Sequence, residues 1–151
     1  MLFKLPPAMK CVGGMQKGPL LFCHAYKRGV AVPKDPLIRT ARRIYGKEKI
    51  PLVRKTHVIF CSDRTMMKLN AMFRGRNHTT DVLSFNYDDD DLLGEIYISL
   101  NRVRVQARRY KVAFDNEILR LFVHGMFHLL GFDHENALDR RKMEERESQF
   151  L

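Results

Sequence analysis

The sequence predicts a single domain of the α+β class. Its 151 residues are the size of one domain and suffice to bury a hydrophobic core. Hydrophobic residues make up 45% of the chain, with ten phenylalanines and no tryptophan, so a globular rather than a disordered chain is expected. Apolar residues recur at strand-like spacing in some stretches and at helix-like spacing in others. This mixture is typical of a sheet that packs against helices.

The N-terminal part contains one strand signal and one helix signal. Apolar residues between Leu20 and Val32 predict the first strand or hairpin. Asp35-Pro36 then predicts the start of a helix, because a capping side chain is followed by proline at the first helical position. Gly46 is expected to end this helix.

The middle of the chain alternates between predicted strands and helices. The predicted strands are residues 57–61, 82–85 and 94–99. Ser62 is expected to cap the helix after the first of them. Ile96 and Ile98 share one face, which predicts a half-buried strand. Residues 100–111 predict a helix whose basic residues are the best candidates for phosphate contacts: Arg102, Arg104, Arg108, Arg109 and Lys111.

The charge balance favours a polyanionic partner. The net charge is +10 and the isoelectric point is near 9.8. Nucleic acid is preferred to a membrane, because no basic helix with a bulky apolar face stands out. No apolar run approaches the roughly 20 residues needed to span a bilayer. Because basic proteins are common, this charge supports nucleic-acid binding only weakly by itself.

The cysteines and the N-terminal segment indicate the compartment. Cys11, Cys23 and Cys61 lack the spacing of a disulfide framework or a thiolate metal site, which suits a reducing, cytoplasmic setting. Organellar targeting is weakly supported, since the first 34 residues contain no serine and only one arginine. We expect residues 1–18 to form a loose N-terminal extension and residues 19–151 to form the domain.

Three histidines fall within eleven residues, at His124, His128 and His134. On a helix, His124 and His128 lie about 40° apart around the axis and roughly 6 Å along it, so both imidazoles share one face. The helix is expected to open at Asp115 or Asn116 and to end at Gly131, whose left-handed backbone lets the chain bring His134 to the same point. Three neutral nitrogen ligands with an open fourth position are typical of a catalytic zinc centre.

The alternative interpretation is three ordinary histidines beside a core helix. It is disfavoured because the surrounding residues are apolar, and burying imidazoles without a partner is costly. The spacing is that of the metzincin zinc proteases, H-E-x-x-H-x-x-G-x-x-H, except that Gly125 replaces the glutamate that activates the zinc-bound water. Glycine cannot act as a general base, so the pattern predicts the metal site without the protease mechanism. Glycine inside a helix also costs roughly 1 kcal/mol relative to alanine, which indicates close packing against the backbone there.

The histidine stretch resembles the signature of the YbeY family of metal-dependent endoribonucleases, H-G-x-x-H-L-x-G-y-D-H. Two further blocks are similar to the family pattern: Leu69–Arg74 followed by Thr80–Phe85, and Leu93–Ser99. The resemblance therefore covers roughly residues 57–147. Three positions depart from the pattern, with Phe73 where tyrosine is usual, Thr79 where proline is usual, and Glu95 where aspartate is common.

This resemblance implies a small, mostly four-stranded sheet covered by about five helices, with the zinc-binding helix central. It implies one Zn²⁺ per chain, held by His124, His128 and His134, and cleavage of single-stranded RNA in ribosomal RNA maturation and ribosome quality control. Arg74 and His124 are the predicted catalytic residues, since the planar guanidinium of Arg74 suits a phosphate. The expected partners are ribosomal RNA and proteins of the small ribosomal subunit, and no membrane.

Two other functions stay open at this point. One is a zinc peptidase or amidohydrolase whose general base comes from elsewhere in the chain. The other is a non-catalytic ribosome-assembly factor whose metal only stabilises the fold. Asp133 is a candidate for the proton acceptor, or for a group that orients a ligand histidine. Nickel or cobalt would accept the same nitrogen ligands as zinc.

Overall fold

The computed structural model describes residues 21–25, 31–87, 89–133 and 136–151. The elements within these residues are β1 (Leu21–Ala25), α1 (Lys34–Lys47), β2 (Lys55–Cys61), α2 (Asp63–Arg74), β3 (Val82–Asn86), β4 (Leu92–Ser99), α3 (Leu100–Tyr110), α4 (Phe114–Leu129) and α5 (Ala137–Glu147). These strands and helices confirm the predicted α+β class. The extension predicted for residues 1–18 lies outside the described residues, and so does His134.

The strands form one mixed sheet in the order β1-β2-β4-β3. The pairs β1/β2 and β2/β4 are parallel, whereas the edge strand β3 runs antiparallel to β4. In β4 every residue after Leu92 is buried. The prediction of a half-buried strand over residues 94–99 is therefore wrong, because helices cover both faces of the sheet at this strand.

Two hydrophobic clusters lie on opposite faces of the sheet. The larger cluster contains Ile96 and Ile98 of β4 together with buried residues of α1, α3, α4 and α5. The smaller one joins Met66 and Leu69 of α2 to Tyr97. Successive side chains of β4 point to opposite faces, so the strand separates the clusters. Helix α4 packs against β3, β4, α1, α3 and α5, which places it in the interior of the larger cluster.

The helix ends match the sequence signals unevenly. Ser62 caps α2 as predicted, since its side chain accepts a hydrogen bond from the Thr65 backbone N–H at 3.3 Å. Helix α1 instead begins at Lys34 and continues past Gly46 to Lys47, with Asp35 inside its first turn. An acidic side chain there is favourable to the helix dipole without serving as the cap. Among the described residues, no helix is long and apolar enough to cross a membrane.

Candidate metal centre

His124 and His128 converge one turn apart in the C-terminal half of α4. Their Nε2 atoms are 3.1 Å apart, and their rings lie nearly perpendicular at 85°. Two nitrogens that bind one tetrahedral zinc at about 2.0–2.1 Å would be about 3.3 Å apart. Both side chains are partly exposed, which leaves access from solvent. The pair therefore fits the shared coordination of a single ion.

The second ring nitrogen of His124 is held by Glu147 of α5. Its Nδ1 atom lies 2.7 Å from Oε1 of Glu147. A carboxylate accepts a hydrogen bond from a protonated Nδ1, and the lone pair is then left on Nε2. Sequence reasoning missed Glu147, which lies 23 residues beyond His124 in a charged helix. No local spacing could have identified it, because the contact depends on how α5 packs against α4.

Gly125 faces the sheet, and close packing at this glycine is confirmed. A Cβ added there would lie 2.7 Å from Cγ2 of Ile96 and 3.0 Å from Oγ of Ser84. The Ser84 hydroxyl donates a hydrogen bond of 3.1 Å to the Gly125 carbonyl, and the Asn86 amide donates to the Leu129 carbonyl. These contacts hold α4, and with it the histidine pair, directly against β3 and β4.

We expect Gly125→Ala to lower the free energy of unfolding by about 1–3 kcal/mol, because the new methyl group overpacks the contact with Ile96. Gly125→Glu should unfold the protein and abolish activity, because its larger side chain overpacks the same contact. Denaturant unfolding measures both effects. Gly46→Ala is the matched control, since nothing lies within 4 Å of its Cβ position and alanine favours a helix. Equal unfolding midpoints for Gly125→Ala and Gly46→Ala would contradict this packing.

The turn after α4 follows the sequence prediction. Gly131 has a φ of 86°, which is the left-handed conformation, and its N–H donates to the His128 carbonyl at 3.0 Å. Phe132 returns to the helix and packs edge-on against Phe127, with ring centroids 5.3 Å apart. Asp133 is exposed. His134 follows it outside the described residues, so the third ligand stays a prediction.

The described residues alone do not complete a metal site. Among them, with His134 excluded, no group of three or more histidine, cysteine, aspartate or glutamate side chains could hold a metal ion. The described residues supply the His124/His128 pair on α4 and the Glu147 carboxylate, which lies behind His124. This donor set fits a metal that takes a further ligand from outside the described residues.

Arg74 is the exposed last residue of α2, which covers the face of the sheet opposite α4. The segment that follows Arg74 leads to β3 and is held by hydrogen bonds in its middle and at its end. Buried Asn70 donates to the His78 carbonyl at 2.7 Å, and Asp81 accepts from Gln106 at 2.9 Å. The family resemblance, and not a measured contact, links Arg74 to the histidines. Its catalytic role stays a prediction.

A pocket of about 380 Å³ opens beside His124, between α4 and α5. Its lining residues are Arg120, His124, Arg140, Met143, Glu144 and Glu147. The Arg120 guanidinium donates two hydrogen bonds to Glu117, at 3.0 and 2.7 Å, which raise the pKa of Arg120. In the lining, the charges of two arginines and two glutamates balance. The described lining residues therefore contribute no net charge to the pocket.

Comparisons with known proteins agree on one family. A family model described as Endoribonuclease YbeY matches residues 27–151. The Endoribonuclease YbeY of Chlorobaculum tepidum is 32% identical over 134 residues, which are 88% of this chain and 96% of the relative. That of Thermodesulfovibrio yellowstonii is 42% identical over 100 residues, which are 62% of this chain and 63% of the relative.

A solved structure is similar to this chain over most of its length. The solution structure of TM1509 from Thermotoga maritima aligns with a TM-score of 0.59 at 28% sequence identity. The alignment covers 87% of this chain and 86% of that one. On the match of the family model to residues 27–151, this chain belongs to the endoribonuclease YbeY family.

Proposed function

We propose that this endoribonuclease cuts single-stranded ribosomal RNA, during ribosomal RNA maturation and ribosome quality control, with one zinc ion. Membership of the family supports a hydrolase that acts on RNA. The observation that carries the metal dependence is the 3.1 Å approach of the two Nε2 atoms, one of them on a histidine held by a carboxylate. In this proposal His124, His128 and His134 hold the zinc ion.

The division of chemical roles follows from the residue types. Zinc, when bound, would supply a Lewis acid next to the scissile phosphate. His124 and His128 would bind it through Nε2, while Glu147 keeps the His124 ring in place through Nδ1. Arg74 would neutralise charge on the phosphate with its paired donors. Because Gly125 replaces the protease glutamate, the proton acceptor lies elsewhere, and Asp133 is the candidate.

A basic surface on α3 would bind the RNA backbone. Arg104, Arg108, Arg109 and Lys111 are exposed on this helix and its C-terminal end. Arg102 differs, since its Nε lies 3.9 Å from a carboxylate oxygen of Asp63. Contacts to phosphates carry little sequence information, so binding through this surface should depend strongly on salt. Proteins of the small ribosomal subunit and a cytoplasmic setting belong to the same proposal.

The test is cleavage of single-stranded and duplex ribosomal RNA by nuclease-free protein, before and after metal removal. We expect the wild-type protein to cut the single strand, to lose this activity on chelation, and to regain it when zinc is added. Cleavage that persists unchanged after complete metal removal would contradict zinc dependence. RNA binding by the zinc-loaded protein without any cleavage would favour an assembly factor instead.

A further inference from the structure

The C-terminal helix α5 reaches the candidate metal centre through one side chain. The Glu147 side chain is 15% exposed and the His124 side chain 24%, so their hydrogen bond is largely shielded from water. We propose that Glu147 is a positioning residue, which holds His124 in the tautomer that presents Nε2 to the metal. This inference rests on the proposed zinc site and extends it to α5.

The backbone around Glu147 is fixed on both sides, so its carboxylate is not a mobile surface group. Met143 and Phe150 are 2% and 3% exposed, respectively, and belong to the larger hydrophobic cluster. Arg146 donates to the Glu48 carboxylate at 3.3 Å, and Arg43 donates to the Gln149 carbonyl at 2.7 Å. These contacts tie the end of α5 to α1, and Glu147 points from this fixed segment to His124.

A neutral imidazole carries one proton, and the partner of one nitrogen decides where that proton resides. A carboxylate at Nδ1 selects the form with the proton on Nδ1 and the lone pair on Nε2. It also fixes the ring orientation and increases the basicity of the metal-binding nitrogen. Such partners behind a ligand histidine typically contribute 10–100-fold to metal affinity. A purely structural ion pair between α4 and α5 would instead stabilise the fold and leave metal affinity unchanged.

The experiment compares Glu147→Gln with Glu144→Gln. Glu144 lies on the same helix, lines the same pocket and loses the same charge, so it is a matched control. Two quantities are measured: the zinc dissociation constant by competition with a coloured chelator, and the absorption spectrum of the cobalt-loaded protein. We expect Glu147→Gln to bind zinc 10–100-fold more weakly and to change the cobalt spectrum. Glu144→Gln should stay close to the wild type in both.

Unfolding of the metal-free proteins separates positioning from simple destabilisation. We expect both glutamine variants to unfold near the wild-type midpoint when no metal is present. Wild-type zinc affinity in Glu147→Gln, with or without a loss of metal-free stability, would overturn the positioning role and leave the zinc site intact. Absence of zinc binding by the wild-type protein would overturn the zinc site itself.

Discussion

His128→Ala is expected to lose most of its bound metal and, with it, RNA cleavage. The variant removes one of the two Nε2 atoms that approach to 3.1 Å, and His124 alone on the helix cannot hold the ion. Metal analysis of the purified proteins measures the effect, with near-equimolar zinc expected in the wild type. His78→Ala is the control, because it removes an exposed histidine from the segment between α2 and β3 and should keep its metal. Equal metal contents in wild type and His128→Ala would contradict the assignment of this ligand.

Arg74→Ala should keep its zinc and its fold but lose most of its cleavage rate. Removing one donor that stabilises charge in the transition state typically lowers the rate by roughly 10²–10³-fold. RNA affinity should fall only in part, because the exposed basic residues of α3 would still be available to contact phosphates. Arg74→Lys should restore little, since a point charge cannot reproduce paired donors. Single-turnover cleavage with saturating protein separates the rate from the affinity.

Arg76→Ala provides the comparison for Arg74→Ala, since Arg76 is an exposed arginine two residues further along. It removes the same charge from the same surface, so both variants should show a similar small loss of RNA affinity. Only Arg74→Ala should lose the cleavage step. A wild-type single-turnover rate in Arg74→Ala would contradict its catalytic role, and equal losses in both variants would assign the effect to surface charge.

Signals that act within one or two turns predicted local structure well. Ser62 caps α2, and Gly131 ends the turn after α4 in the left-handed conformation. Helix starts were less accurate: α1 begins at Lys34 although Asp35-Pro36 carries a start signal, and the start of α4 differs from its prediction as well. Helix α4 begins at Phe114 with Ala113 as its N-cap and no side-chain cap, rather than at Asp115 or Asn116. Its position is set by packing of the helix against its neighbours, which the chain near its start does not encode.

The face of β4 opposite Ile96 shows why the alternation of apolar and polar residues led to a wrong prediction of half-burial. Glu95 and Tyr97 occupy the face opposite Ile96, where polar groups indicate solvent. In the structure α2 covers this face, and the Tyr97 hydroxyl donates to the Glu95 carboxylate at 2.8 Å. Burial is the main cause that raises the pKa of Tyr97, and the nearby Glu95 carboxylate raises it further. The two polar groups satisfy each other, and that pairing cannot be deduced from periodicity.

The residues of the candidate site also differ in how well the sequence predicts them. His124 and His128 follow from helix geometry alone, because their spacing fixes them on one face. The packing of Gly125 was indicated by its cost in a helix, although its neighbours Ile96 and Ser84 come from distant strands. Glu147 had no signal in the sequence. It reaches His124 only because α5 folds back onto α4, which is tertiary information.

The most direct measurement is cleavage of single-stranded ribosomal RNA by nuclease-free wild type, His128→Ala and Arg74→Ala, prepared side by side. Metal-dependent hydrolysis by this site predicts that the wild type cuts the RNA. His128→Ala should fail for lack of metal, and Arg74→Ala should retain zinc but cut roughly 10²–10³-fold more slowly. Equal cleavage by all three preparations would identify a contaminating nuclease and contradict the catalytic role of the site.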